Sequence, residues 1–266
     1  MKTITISSKR NHWLKALMAF ISCLLLITFP PSCQVDEAER NSKLDMDLLS
    51  SSELYKMDKP KPKPKPKQGR IIDIEKNVYK TVKIGDQWWM AENLKSTKYN
   101  DGRSIPNVID NTEWINLTTE GYCWYDNDIS NKVTYGTLYN WFSVRNGNLC
   151  PIGWHVPSDI EWLILINFLG GEDVAGGKLK ETGTTLWIYP NSGATNKSGF
   201  TALPSGDRIG ADGGFYNLGG YSIYWSSDEA TFTLGINRVL VFDNTNFRIG
   251  YDNKTAGFSV RCIKDN

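Results

Sequence analysis

Apolar and polar positions divide the chain into three textures. Ala16 to Phe29 is an apolar stretch of 14 residues. Residues 34–69 are polar, with few large apolar groups. From Arg70 onward, short apolar or aromatic runs alternate with turns rich in Gly, Asn, Asp and Ser. In this third region Val78–Ile84 reads as a strand, with Val78, Lys80 and Val82 in alternation, and after Asp86-Gln87 the run Trp88–Ala91 returns. Gly121–Tyr125, Gly199–Leu203, Ile223–Ser226, Arg238–Asp243 and Gly257–Ile263 are further strand candidates, rich in aromatic and β-branched residues. Asp101-Gly102, Asn146-Gly147, Asp212-Gly213 and Gly219-Gly220 mark turns between them.

One helix is strongly specified. Ser158 and Glu161 form a capping box, and Asp159 in the first turn suits the helix dipole. Trp162, Leu163, Ile166 and Leu169 make an apolar stripe, and Gly170-Gly171 ends the helix. A second helix is expected over Val174–Glu181, against the preference of Gly176-Gly177. The class expected is α+β, with few helices against short, twisted antiparallel strands.

The first two textures read as an export leader and a tether. Lys2, Lys9, Arg10 and Lys15 precede the apolar stretch, which is shorter than the roughly 20 residues of a membrane span. Cys33 follows Ser32, as in a lipoprotein processing site, although Pro30 stands where Leu is usual. Cys33 is therefore the expected lipidation site, with an ordinary secretory peptide cut nearby as the alternative. Asp36, Glu37 and Glu39 resemble the surface-export signal of Bacteroidota lipoproteins. Residues 34–69 cannot bury a core. The strict Lys-Pro alternation from Lys59 to Lys67 should form an extended polyproline II spacer of about 28 Å. The expected organisation is a leader over 1–33, a tether over 34–69 and one domain over 70–266. The expected location is the bacterial outer membrane, held by an N-terminal lipid anchor and exposed at the cell surface.

Charge changes the picture by exclusion. Of 30 basic and 29 acidic residues, 12 and 7 lie in residues 1–69, leaving 18 and 22 in the domain, a net of −4. A mildly acidic domain without a basic patch does not suit a phosphate backbone, so no nucleic-acid partner is expected. Ten Trp are present, and His155 is the only His beyond the leader.

Several separated runs resemble one family in its own order. They are Tyr79–Leu94 (YKTVKIGDQWWMAENL), Gly136–Trp141 (GTLYNW), Cys150–Trp162 (CPIGWHVPSDIEW), Gly199–Pro204 (GFTALP), Tyr224–Ser227 (YWSS) and Gly257–Cys262 (GFSVRC). Together they are similar to the Fibrobacter succinogenes major paralogous domain, over about Ile72 to Lys264. The resemblance implies a domain of bacterial surface lipoproteins without an assigned activity. It also implies a C-type-lectin-like fold, in which first and last strands meet and a long irregular region carries ligand contacts.

Cys123, Cys150 and Cys262 allow three single pairings in an oxidising compartment. The lectin-like resemblance favours Cys150–Cys262, leaving Cys123 buried beside Tyr122 and Trp124; Cys123–Cys150 is the alternative. His155 has no Ser, Cys or carboxylate motif beside it and is expected to be structural. Zinc would need several His or Cys ligands. Asp126-Asn127-Asp128 offers oxygens without an EF-hand register and reads as a polar turn. No cofactor, no metal site and no catalytic residue is expected. A polysaccharide hydrolase would need only two carboxylates, and no pair stands out.

What remains is a binding surface. Trp187, Tyr189, Asn191, Arg208, Asp212 and Tyr216 are the candidate ligand contacts, in a segment rich in Gly and Ser. Rings with polar partners suit a carbohydrate or protein ligand, although aromatics in loop-rich domains also serve as satellite core. The expected function is a surface-displayed binding module, not an enzyme. A structural or adhesive envelope component is the alternative.

Overall fold

The computed structural model describes residues 67–265. The expected leader, Cys33 and nearly all of the tether lie outside the described residues. Twelve strands and five short helices make a mixed α+β domain, mostly strand.

The strands are β1 (Gln68–Ile72), β2 (Val78–Ile84), β3 (Gln87–Met90), β4 (Tyr122–Cys123), β5 (Leu138–Tyr139), β6 (Trp154–His155), β7 (Ser205–Arg208), β8 (Phe215–Leu218), β9 (Tyr221–Glu229), β10 (Leu234–Val241), β11 (Phe247–Asn253) and β12 (Ile263–Lys264). The helices are α1 (Asn111–Ile115), α2 (Asn131–Tyr135), α3 (Trp141–Val144), α4 (Asp159–Phe168) and α5 (Glu172–Leu179). A first sheet has the order β1-β2-β3-β12-β6, all antiparallel. The C-terminal strand β12 thus sits between β3 and β6. A second sheet has the order β11-β10-β9-β7-β8, with β7 parallel to β9. β4 and β5 form a small third pair.

α4 begins as its sequence requires. Ser158 Oγ accepts from the Glu161 N–H, and the Glu161 carboxylate accepts from the Ser158 N–H at 2.8 Å. Trp162, Leu165, Ile166 and Leu169 are buried. Leu163, expected on the inner stripe, is 41% exposed, because Leu165 takes the inward position instead. Gly170 and Gly171 end the helix, both at φ 100°. α5 spans Glu172–Leu179, two residues earlier than expected at each end. Its Gly176-Gly177 pair lets the loop after β10 lie directly on the helix: Gly177 N–H donates to Thr245 O at 3.2 Å, and a Cβ on Gly176 would meet the Asn246 carbonyl.

β2 has the expected bounds. Val78 faces solvent and Tyr79 is buried, its hydroxyl donating to Asp73 Oδ2 at 2.7 Å. Gly199–Leu203 and most of Gly257–Ile263 form no strand. They hold isolated bridges and buried side chains, and Arg261 staples them together. Its guanidinium is fully buried over the Phe200 ring at 4.4 Å and donates to Asn93 Oδ1 at 2.7 Å and Thr201 O at 2.8 Å. A buried guanidinium persists where carbonyls satisfy its N–H groups.

The two largest cores are contiguous in kind and aromatic in composition. Trp89, Trp162, Phe200 and Tyr224 stack with ring centroids between 4.5 and 6.2 Å apart. Another core gathers Tyr79, Tyr139, Trp225 and Phe258 around the disulfide. Cys150 and Cys262 are bonded, with Cα atoms 6.0 Å apart, as the resemblance implied. Cys123 is free and buried, and burial pushes its thiol up to about 12.

Candidate functional site

Half of the expected ligand contacts lie inside the protein. Trp187 is 1% exposed and its Nε1–H donates to Ala202 O at 2.9 Å. Asn191 is buried, its amide donating to Glu181 O at 2.8 Å and Gly183 O at 2.7 Å. Arg208 is fully buried between Trp114 and Phe215, its guanidinium 4.3 and 4.9 Å from their ring centroids. It donates to Val108 O at 2.6 Å, Ile109 O at 3.0 Å and Gly213 O at 2.8 Å. These three residues pin loops to the core and present nothing to a ligand, so their expected contact role is corrected to a structural one.

The other three face solvent. Asp212 accepts from the Tyr216 hydroxyl at 2.9 Å and from Gly214 N–H at 2.8 Å, closing the β7–β8 turn. Tyr189 is 83% exposed. No hydrogen bond or ring contact joins Tyr189 to Asp212 or Tyr216 among the described residues.

His155 is held on both nitrogens. Nε2 lies 2.9 Å from Glu161 Oε1 and Nδ1 lies 2.6 Å from Asp265 Oδ1. Hydrogen bonding to Glu161, and then to Asp265, outweighs desolvation and raises the imidazole to about 9. It ties Asp265 to Glu161 in the first turn of α4.

A concave surface with accessible rings lies elsewhere. A groove of about 740 Å³ runs between α3, the tip of the β9–β10 hairpin and the end of β11. Phe232 at the hairpin tip is 93% exposed. Phe142 lies on α3 and Arg145 caps its C-terminal end, with the guanidinium 5.5 Å from the ring centroid. The hairpin is held in place by Lys254, whose Nζ donates to Glu229 Oε2 at 2.6 Å and Phe232 O at 2.9 Å while lying 4.4 Å from the Trp141 ring centroid. The groove therefore combines two accessible rings, cations and Glu229 on a scaffold anchored to the core. A second depression of about 450 Å³, over β2, carries Lys80, Glu92, Lys95 and Glu181 and no ring.

Sequence reasoning passed over Phe142, Arg145 and Phe232. Phe232 had a signal: a lone aromatic among Thr and Ala residues between two strand candidates. Phe142 and Arg145 had none, since their neighbour Trp141 is buried and only the short turn of α3 turns them outward.

Fold and groove together describe a disulfide-stapled α+β domain with an aromatic groove. The model of the Fibrobacter succinogenes major domain matches residues 82–264, and the chain belongs to that family. Comparison with curated proteins and with solved structures yields no match.

Proposed function

We propose that the chain is a surface-displayed, lipid-anchored binding module that recognises a glycan or protein ligand without catalysis. The observation that carries this reading is the groove. Phe232 and Phe142 offer apolar faces, and Arg145 and Glu229 offer polar edges, the mixture that carbohydrate and protein ligands need. Anchoring at the outer membrane rests on the leader and Cys33, and the Lys-Pro run supplies reach.

A C-type-lectin-like architecture is part of the proposal. It is supported by the tie from Cys262 to the segment before α4 and by the long irregular connection from α5 to β7, while the expected meeting of first and last strands is not seen: β12 pairs with β3 and β6, and β1 pairs with β2. The absence of catalysis is likewise proposed. His155 is engaged on both nitrogens and Cys123 is sealed in the core.

One observation favours the structural or adhesive alternative. The outer face of α4 is apolar: Ile160 (69% exposed), Leu163, Ile164 and Phe168 (63%) form a stripe at helical spacing. Such a stripe suits assembly with protein. The test is binding of the purified chain to bacterial, plant and host polysaccharides, with calcium and then with chelator. Saturable binding weakened at least tenfold by Phe232→Ala is expected. Failure to bind any polysaccharide would overturn the glycan form and leave a protein ligand.

A further inference from the structure

The second sheet ends on an open strand. β11 lies at the edge of the order β11-β10-β9-β7-β8. At seven residues it is longer than the other edges of the two large sheets, since β1 has five, β8 four and β6 two. Its pairing with β10 runs unbroken from Leu240↔Phe247 to Leu234↔Asn253. Apart from that ladder, the main chain of Arg248–Asp252 makes no hydrogen bond among the described residues. Edge strands are commonly blunted by shortness, a proline, a bulge or a charge. β11 is long and has neither proline nor bulge. It does carry two charges, and their placement decides what they do.

Arg248, Gly250 and Asp252 share one face of the strand, and Ile249 and Tyr251 share the other. Arg248 and Asp252 stand four positions apart, about 13 Å along the strand, too far to pair with each other. Neither is in an ion pair among the described residues. Arg248 is exposed, with its guanidinium beside the Asn246 amide. Asp252 is half-buried and accepts from Asn237 Nδ2 at 2.8 Å. Ile249 and Tyr251 are 36% and 54% exposed.

The strand is complementary to itself. Two copies joined at the same edge across a two-fold axis run antiparallel, and every contact occurs twice. With the axis at Gly250, Arg248 faces the second copy's Asp252, and Ile249 faces the second copy's Tyr251. Side chains directly opposite are about 5 Å apart, and both opposite charges and aromatic–β-branched pairs stabilise such a pairing. Gly250 meets Gly250 at the centre, where no side chain obstructs the approach. Sliding the register by two residues either way sets Arg248 against Lys254 or Gly250 and leaves it without an acid. One register therefore satisfies both charges, and it is the one in which all seven residues overlap.

We propose that β11 joins two copies of this chain, edge to edge and antiparallel about Gly250, into one continuous sheet. Asn253 at the end of β11 also lines the groove, so the pair carries one groove at each end of the joined strands. The inference goes beyond the groove reading and does not depend on what the groove binds.

The test is sedimentation equilibrium of the full chain in density-matched detergent over a concentration series. A reversible monomer–dimer equilibrium is expected. Arg248→Asp sets acid against acid and Asp252→Arg sets cation against cation, so each variant alone should dimerise at least tenfold more weakly. An equimolar mixture of the two variants restores both opposite-charge pairs and should recover the dimer. Thermal melts of both variants near the wild-type midpoint separate lost association from lost folding. If either variant fails to fold, crosslinking carries the test. Ile249→Cys mixed with Tyr251→Cys should form an intermolecular disulfide at least tenfold faster than either variant alone. Opposite Cα atoms lie about 5 Å apart, within disulfide reach, whereas each variant alone leaves its two thiols a diagonal step apart. A chain that stays monomeric up to about 1 mM, leaving the edge to a strand of some other protein, would overturn the proposal. So would a dimer that survives Arg248→Asp, or a mixture of the folded charge variants that stays monomeric, or cysteine variants that crosslink no faster mixed than alone.

Discussion

Replacing Asp207 by asparagine removes one charge from a buried site and leaves its shape. The substituted amide can still accept the hydrogen bond that Asn217 donates to Asp207 at 2.7 Å. The carboxyl sits at about 6 in the folded protein, up from its ordinary 3.8, chiefly because burial disfavours the charged form. A folded-state value above the unfolded one makes the sign definite. The contribution of Asp207 to stability is fully present below pH 3.8 and is lost as pH rises through about 6. The rise corresponds to about 3 kcal/mol of penalty once the group is ionised on both sides. Asp207→Asn escapes it. The variant should therefore be more stable than wild type by about 3 kcal/mol at pH 8, or about 6–12 °C in melting midpoint for a domain of this size. The difference should shrink between pH 6 and pH 4 and vanish below. Melts followed by circular dichroism across that range measure it. A variant less stable than wild type at pH 8, or a difference independent of pH, would refute the reasoning.

His155 gives a second pH dependence. Held near 9 by Glu161 and Asp265, it stabilises fully below pH 6.5 and loses that contribution as pH rises through about 9. The side chain is 38% exposed, so solvent screening limits the effect to about 1 kcal/mol. His155→Gln should melt lower than wild type at pH 6, with the gap closing by pH 10. The Cys150–Cys262 bond spans 112 residues of sequence, and reduction should cost about 4–5 kcal/mol in the chain-entropy model, read from urea unfolding with and without reductant. Trp187→Ala empties a fully packed core position and should cost about 3–5 kcal/mol. Phe232→Ala touches no core and should change stability by about 0.5 kcal/mol at most, as the same urea curves would report.

Local chemistry explains which parts were legible in the sequence. The capping box and the Gly170-Gly171 stop depend on neighbours within a few residues and appear where expected, and the β2–β3 hairpin appears one residue earlier, with Gly85-Asp86 at the turn and β3 over Gln87–Met90. The family resemblance carried the disulfide, which no local signal distinguishes from its alternative. β7 escaped notice because Ser205, Gly206 and Asp207 are poor strand formers, and β8 and β11 because Asn217, Gly250 and Asp252 interrupt their aromatic and β-branched residues. Their pairing comes from neighbouring strands instead. Burial was the harder quantity. Arg208 reads as an exposed cation in sequence, yet its carbonyl partners Val108 and Ile109 lie about a hundred positions earlier. Only the closed fold brings them to it. Phe232 misleads the other way: a ring that would be core in most strands stands in solvent at a hairpin tip.

The central claim is that the groove, rather than the apolar stripe of α4, meets the ligand. The most direct measurement compares Phe232→Ala with Phe168→Ser in one binding assay, using a ligand that the wild-type chain binds saturably. Both side chains are exposed, at 93% and 63%, so neither change should unfold the domain. Binding weakened at least tenfold in Phe232→Ala and kept in Phe168→Ser is the expected result. Binding kept in Phe232→Ala and lost in Phe168→Ser would contradict the account and assign recognition to the helix face.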